Sequence, residues 1–290
     1  MVVYNQAITG IIGRRFSCRN YDPRPIETGL RDQLSKVLAV SSTGPLGTRM
    51  RFELVSAGED DLTALKGLGT YGFIKGASGF IIGAVEQGEN NMEDYGYLLE
   101  RAILFATDIG LGTCWLGGTF KKSSFSRKIS LKETEILPAV AAVGYVADKP
   151  RWIDPLLRRG AGSDSRLPWA ELFFDETFRT PLSVDTSGPF ATPLEMVRLG
   201  PSASNKQPWC VIRDGTKWHF YLQRTKGYGS RNAKLFNLAD MQRIDMGIAM
   251  CHFELTVQEM GLSGQWVHSE QNIEKPDKLT EYIITWQQKD

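Results

Sequence analysis

The sequence has few of the residues that mark a disulfide framework or a metal centre. Its 4 cysteines include no Cys-x-x-Cys pair, and its 3 histidines lie far apart in the chain. Disulfide-rich secreted domains need many cysteines, and zinc sites need closely spaced ligands, so neither class is indicated. We therefore expect reduced and mostly buried thiols, no metal site and a cytoplasmic location.

Two further absences narrow the class of partner. Lys and Arg total 34 against 33 Asp and Glu, which leaves a formal net charge of +1. Nucleic-acid and membrane-surface binding draw much of their affinity from a basic excess, which this chain lacks. No apolar run reaches the roughly 18 residues that a membrane-spanning helix needs. We expect neither a nucleic-acid nor a membrane partner, and any anion site must be a local cluster.

What the sequence does contain is a mixture of helix and strand patterns, typical of an α+β protein. Helical apolar spacing predicts helices near 30–38, 92–110 and 240–261. Apolar runs predict strands at 52–55, 79–85, 139–145, 209–213, 218–222, 265–267 and 282–286. The signature Thr192-Pro193-Leu194-Glu195 predicts a capped helix that ends at Gly200. Residues 147–175 are rich in Arg and Pro and predict a linker, so we divide the chain into 1–172 and 173–290.

The second half repeats the first faintly. Five pairs of identical residues lie 151 positions apart: Gly96/Gly247, Leu104/Leu255, Gly110/Gly261, Leu111/Leu262 and Trp115/Trp266. Each set joins a long predicted helix to a strand through a glycine. The repeat indicates a tandem duplication.

One polar segment, Pro201–Trp209, separates a predicted helix from an apolar strand and reads PSASNKQPW. Proline cannot continue a helix, so Gly200-Pro201 ends it. The segment offers a ligand backbone N–H groups, two hydroxyls and an amide, on a loop between two rigid elements. An ordinary helix-to-strand turn is the alternative.

A second polar segment, Arg15-Phe16-Ser17-Cys18-Arg19, lies near the N-terminus. Its two arginines and its serine stand at alternating positions. Guanidinium forks and a hydroxyl are the groups that a phosphate prefers. Arginines solvated at the surface are the alternative reading.

Together, and in this order, the two segments resemble the motifs of the FMN-dependent nitroreductase family, and the likeness covers most of the chain. In that family an Arg-x-Ser-x-Arg/Lys run grips the flavin phosphate, and a Ser-x-x-Asn loop holds the pyrimidine edge of the ring. The resemblance implies phosphate contacts from Arg15, Ser17 and Arg19. It implies ring contacts from the loop residues Pro201, Ser202, Ala203 and Asn205. The family often has a second serine where Ala203 stands.

The resemblance extends to two more positions. Gly117-Gly118 falls where relatives bring a backbone N–H against flavin N5, a place where the missing Cβ allows close approach. A plain turn is the alternative there. Arg166 resembles a later basic position that completes the phosphate site, with Arg158 and Arg159 as rivals for that role.

The resemblance also implies the architecture: a nitroreductase-like α+β fold of two fused pseudo-repeat lobes, each with a central antiparallel sheet and long core helices. Relatives are usually homodimers with each FMN at the subunit boundary, whereas here the two motifs occupy different halves of one chain. The counterpart of the ring loop, 48–51, lacks its Asn and Gln-Pro. The counterpart of the phosphate motif, 178–182, lacks Arg-x-Ser-x-Arg. A pseudo-dimer with one FMN per chain is therefore expected. A monomer would suffice for that site, although further association stays open.

The function that the resemblance implies is an FMN-dependent oxidoreductase. It would move hydride from NAD(P)H through flavin N5 to a nitro compound, a quinone or a similar small-molecule acceptor. No catalytic side chain is required, because this chemistry belongs to the cofactor. A flavin-binding module without turnover, and a flavin reductase of other specificity such as a dehalogenase, are the alternatives.

Overall fold

The computed structural model describes residues 2–40, 42–58, 63–148, 165–227 and 239–289. The elements of the first half are α1 (Ile8–Arg14), β1 (Tyr21–Asp22), α2 (Thr28–Val40), β2 (Met50–Ser56), β3 (Gly79–Glu86), α3 (Asn91–Asp108), β4 (Gly112–Leu116), α4 (Lys122–Lys128), β5 (Glu135–Ile136) and β6 (Val140–Val146). Those of the second half are α5 (Trp169–Leu172), β7 (Phe173–Asp175), β8 (Thr177–Pro181), α6 (Ala191–Leu199), β9 (Trp209–Asp214), β10 (Lys217–Gln223), α7 (Met241–Glu259), β11 (Gly264–Val267) and β12 (Thr280–Gln288).

The α+β prediction is confirmed, and the periodic segments form the helices and strands that their patterns indicate. Two local predictions are wrong. Thr192 does not cap α6, because a 3-10 turn at Asp185–Phe190 runs directly into the helix and leaves Phe190 at the N-cap. Part of the predicted linker is also regular structure, since α5 and β7 lie at 169–175.

The strands form two sheets that have the same internal order. The first contains β4, β6, β3 and β2 in sequence across the sheet, with β1 on β6 and β5 on β3. The second runs β11, β12, β10, β9, β7 and β8. In both sheets, the strand that precedes the long helix (β3 or β10) is central, and the strand that follows it (β4 or β11) lies at the edge. All pairs in the first sheet are antiparallel. The second departs from the predicted antiparallel sheet at one place, where β7 pairs in parallel with β9.

The long helices α3 and α7 pack against each other, α3 on the first sheet and α7 on the second. They share one continuous core with the inner faces of both sheets. Their crossing is close because it is made by two glycines. A Cβ on Gly96 would overlap the carbonyl oxygen of Ile244, and a Cβ on Gly247 would overlap that of Glu93. The 151-residue offset maps one contact onto the other, Gly96 onto Gly247 and Glu93 onto Ile244, so the crossing has approximate two-fold symmetry.

Some classes of site are absent from the described residues. None of the described helices is both long and apolar enough to span a bilayer. Within the same ranges no cluster of three or more His, Cys, Asp or Glu side chains is placed to bind a metal. All four cysteines are buried and free.

Candidate functional site

A cavity of about 700 Å³ lies where the two halves meet. Its wall comes from the segment after α1, the end of β4, the loop after α6 and the first turns of α7. Each of the ten positions singled out by the sequence lines it: Arg15, Ser17, Arg19, Gly117, Gly118, Arg166, Pro201, Ser202, Ala203 and Asn205. The rivals Arg158 and Arg159 lie outside the described residues. The structure thus gathers the positions in one place, and their roles toward a ligand stay predictions.

The Arg15–Arg19 segment is held in an extended conformation along β4. Arg15 ends α1 with extended backbone dihedrals. Ser17 bridges in parallel to Thr113, and the Cys18 N–H donates to the Thr113 carbonyl over 2.8 Å. Successive side chains of an extended segment point to opposite sides. Arg15, Ser17 and Arg19 line the cavity, whereas Cys18 packs into the core.

The loop 200–207 is fixed by left-handed backbone and by side-chain hydrogen bonds. Ser204, Asn205 and Gln207 have φ values of 52°, 53° and 48°, which L-residues adopt only where other contacts enforce them. The Gln207 N–H donates to Ser202 Oγ over 2.8 Å. The Gln207 side chain in turn accepts the Leu167 N–H at 3.0 Å. The loop is therefore a rigid wall of the cavity.

Arg166 lies against this loop. Its Nη1 donates to Asn205 Oδ1 over 3.3 Å and its Nη2 donates to the Leu199 carbonyl over 3.2 Å. The Asn205 amide also donates to the Ser165 carbonyl at 3.0 Å. Two residues predicted for opposite ends of one ligand are thus in direct contact. The role of Arg166 at a phosphate remains a prediction.

The Gly117-Gly118 turn follows β4 and meets the first residue of α7. A Cβ on Gly117 would collide with the sulfur and the terminal methyl of Met241. The missing side chain thus lets β4 and α7, from different halves, approach each other at the cavity wall.

Asp245 is a cavity residue that the sequence did not reveal. It lies on α7, is 1% exposed, and accepts the Ala203 N–H at 3.0 and 3.1 Å. Burial raises the pKa of Asp245 well above its ordinary value, the hydrogen bond from Ala203 lowers it, and the charge of Asp240 adds to the rise. Asp245 ties the loop to the helix. Met241, Ile244 and Ile248 line the same wall, and only the contact between α7 and the loop identifies them.

The cavity carries a local excess of positive charge. Among its described lining residues, Arg14, Arg15, Arg19 and Arg166 are basic and Asp245 alone is acidic. The Nε atoms of Arg15 and Arg19 are buried and hydrogen-bond to no described residue. Arg19 also lies 5.4 Å from the ring centroid of Phe73, a cation–π contact. An anionic ligand group would compensate the desolvation of these arginines.

The fold and this site define a class: two sheets around a pair of crossing helices, with an arginine-lined cavity between the halves. A family model described as “Putative TM nitroreductase” matches residues 7–257. The chain therefore belongs to the nitroreductase family. A comparison with curated proteins found no match.

Solved structures resemble this chain at low sequence identity, and the one named first below shows the same fold. A “putative nitroreductase” from Thermotoga maritima MSB8 is 17% identical, with a TM-score of 0.60 over 99% of this chain and 95% of its own. A nitroreductase family protein from Clostridium difficile 630 is 17% identical, with a TM-score of 0.41 over 58% of this chain and 95% of its own. An FMN-dependent nitroreductase from Clostridium difficile R20291 is 21% identical, with a TM-score of 0.39 over 49% and 89%.

Proposed function

We propose that this chain is an FMN-dependent oxidoreductase of the nitroreductase type, which transfers hydride from NAD(P)H to a small-molecule acceptor. The observation that carries the proposal is the convergence of two distant motifs, 15–19 and 201–205, on one cavity. Family membership, through the match over residues 7–257, supports the same reading.

The residues present fit FMN in size and charge. A cavity of about 700 Å³ falls within the roughly 300–1,000 Å³ that small-molecule sites occupy. The phosphate carries close to two negative charges, for which the guanidinium groups of Arg15 and Arg19 at the cavity are suited donors. The rigid loop 201–205, which lines the same cavity, offers hydroxyl and amide groups for the polar edge of the ring.

Each element of the site then has a physical task. Arg15, Ser17 and Arg19 bind the phosphate. Ser202 and Asn205 orient the ring, and Asp245 keeps their loop in place through the Ala203 N–H. FMN, when bound, supplies the hydride chemistry at its N5 atom. The protein leaves one face of the cavity for nicotinamide and acceptor in turn, so we expect ping-pong kinetics.

We also propose that the chain is a fused pseudo-dimer with a single FMN site. Three features support it: the shared strand order of the sheets, the glycine crossing, and a repeated hydrogen bond. Asp94 on α3 accepts the Leu46 N–H at 2.8 Å, as Asp245 accepts that of Ala203. Asp94 and Asp245 are 151 positions apart, and each holds the loop before a strand, β2 or β9, that pairs with the strand preceding the long helix.

The second site of such a pair would have lost its phosphate ligands. The segment equivalent to 15–19 forms the edge strand β8, where the Arg179 side chain is 80% exposed. A second cavity of about 610 Å³ lies beside the loop 43–45. The charged residues among its described lining are Arg101, Glu254 and Glu259. Two carboxylates against one guanidinium disfavour a dianionic phosphate.

Reconstitution with FMN tests the proposal. The purified protein should take up one FMN per chain, measured from the flavin spectrum and the released cofactor. NADH or NADPH should bleach the bound flavin under anaerobic conditions, and a nitroaromatic or a quinone should restore its colour. Bound flavin that neither nucleotide reduces would favour the binding module without turnover. A chain that does not bind FMN would refute the proposal.

A further inference from the structure

A fully buried carboxylate, Glu100 on α3, lies behind the wall of the cavity. Its side chain has no exposed surface, yet it contacts two cavity residues. The Trp115 indole N–H donates to Glu100 Oε2 over 2.6 Å. The Arg15 Nε lies 3.7 Å from Glu100 Oε1, and the Arg15 side chain is only 6% exposed. Because this ion pair uses Nε, the two terminal nitrogens of the guanidinium are left for a ligand.

A histidine from the other half completes this cluster. His252 on α7 is fully buried, with Nε2 3.0 Å from Glu100 Oε1 and Nδ1 2.8 Å from the Met196 carbonyl oxygen. Burial opposes ionisation of Glu100, but the hydrogen bond from His252, the charge of Arg15 and the Trp115 N–H outweigh it and lower its pKa. The imidazole thus links Glu100 to the backbone of α6 and holds the carboxylate in place.

The charge balance of the cluster matters for an anionic ligand. The Glu100 carboxylate interacts with Arg15, His252 and Trp115 together, so it is not paired with the arginine alone. Burying an arginine without any carboxylate has a high desolvation cost. An arginine paired one-to-one with a carboxylate would attract an anionic ligand less strongly. The arrangement holds the guanidinium in place and keeps its charge available.

The cluster is specific to this side of the molecule. The position that matches Glu100 in the second half, 151 residues on, is Cys251, which is also fully buried. The matching tryptophan, Trp266, instead donates to Glu254 at 2.9 Å, one turn further along α7. The buried Glu100 thus occurs in the half that has the Arg-x-Ser-x-Arg motif, and its counterpart has no carboxylate.

We propose that Glu100 is a positioning residue for the flavin phosphate: it fixes Arg15 at the cavity, while His252 and Trp115 hold its carboxylate in place. This inference rests on the proposed function, because the phosphate is that of FMN. Glu100 acts through Arg15 and does not itself touch the ligand.

The test compares FMN with riboflavin, which has the same ring and ribityl chain without the phosphate. Glu100→Asp keeps the negative charge but shortens the side chain by one methylene, so the ion pair with Arg15 is lost. We expect FMN to bind about tenfold more weakly, the loss typical of one charge-assisted contact, and riboflavin affinity to stay within about twofold of the wild type. In an Arg15→Ala background the same change should add less than about a twofold effect.

Glu254→Asp is the matched control, because it removes the same methylene from a carboxylate that also accepts a tryptophan N–H. It should leave FMN affinity unchanged. If Glu100→Asp does not fold, Glu100→Gln keeps the side-chain size. Because it removes the charge that pairs with Arg15, FMN should again bind about tenfold more weakly, with riboflavin unaffected.

Two results would overturn the role of Glu100: equal loss of FMN and riboflavin affinity, or fully additive effects with Arg15→Ala. Unchanged FMN affinity in Glu100→Asp would also overturn it. Failure of the wild-type chain to bind FMN would refute the proposed function itself.

Discussion

The crossing of α3 and α7 makes a strong prediction about stability. In Gly247→Ala the new methyl group would overlap the Glu93 carbonyl oxygen and approach the Tyr97 N–H. Both are backbone atoms of a buried helix, so they cannot rotate away as a flexible side chain could. The helices must then move apart, and the two halves pack against each other through these helices.

The magnitude follows from two opposing terms. Overpacking a buried contact costs about 1–3 kcal/mol, and a clash with backbone belongs at the upper end. Replacing glycine by alanine within a helix stabilises by about 1 kcal/mol. The net loss in the free energy of unfolding is then about 2 kcal/mol, which corresponds to a fall in Tm of about 5 °C. Gly96→Ala should behave alike, because its methyl group would meet the Ile244 carbonyl.

Urea unfolding and thermal melts measure this change, with Gly29→Ala as the control. Gly29 is also helical, but a Cβ there would meet nothing within 4 Å. The control should be neutral or more stable by up to about 1 kcal/mol. If Gly247→Ala were as stable as the control, the close crossing of the helices would be wrong.

Three further predictions concern the cavity and the thiols. Arg19→Ala should weaken FMN binding about tenfold or more, and Asn205→Ala about fivefold, each from a different half of the chain. Arg179→Ala is the surface control, and an effect of only one cavity variant would contradict the shared site. Burial raises the pKa of Asp245, so the stability that its neutral form gives is complete below the unfolded pKa and is lost as pH rises through the folded pKa. The asparagine of Asp245→Asn cannot ionise, so the free energy of unfolding of this variant relative to wild type should increase from about pH 4 to about pH 8. An equal difference between variant and wild type at both pH values would refute this. Burial raises the pKa of the Cys114 thiol to about 11, so iodoacetamide at about pH 8 should label none of the four buried cysteines until the chain unfolds.

Much of the fold could be predicted because its signals are local. The helix α3 and the strand β3 have apolar patterns that extend over several turns or residues, and the structure has them within two residues of the predicted ends. The start of α6 was missed for a local reason too. The Thr-Pro-Leu-Glu signature is valid only if the chain enters the helix from an extended conformation, and here it enters from a 3-10 turn.

Part of the candidate site could likewise be predicted from local sequence signals, and part could not. Arg15, Ser17, Arg19 and the loop 201–205 have sequence signatures, because a phosphate or a polar ring edge demands particular side chains in a short run. Asp245 has none. It is a single polar residue within a helical pattern. Its role depends on the hydrogen bond from the Ala203 N–H, which belongs to another segment.

The sequence by itself determined the two motifs, the order of helices and strands, and the repeat that relates the halves. Only the tertiary structure decided which faces of α3 and α7 meet, and therefore that Glu100 lies between Arg15 and His252. The physical reason is that local pattern sets the conformation of a segment, whereas contacts between residues about 150 positions apart depend on the helix crossing, here set by Gly96 and Gly247.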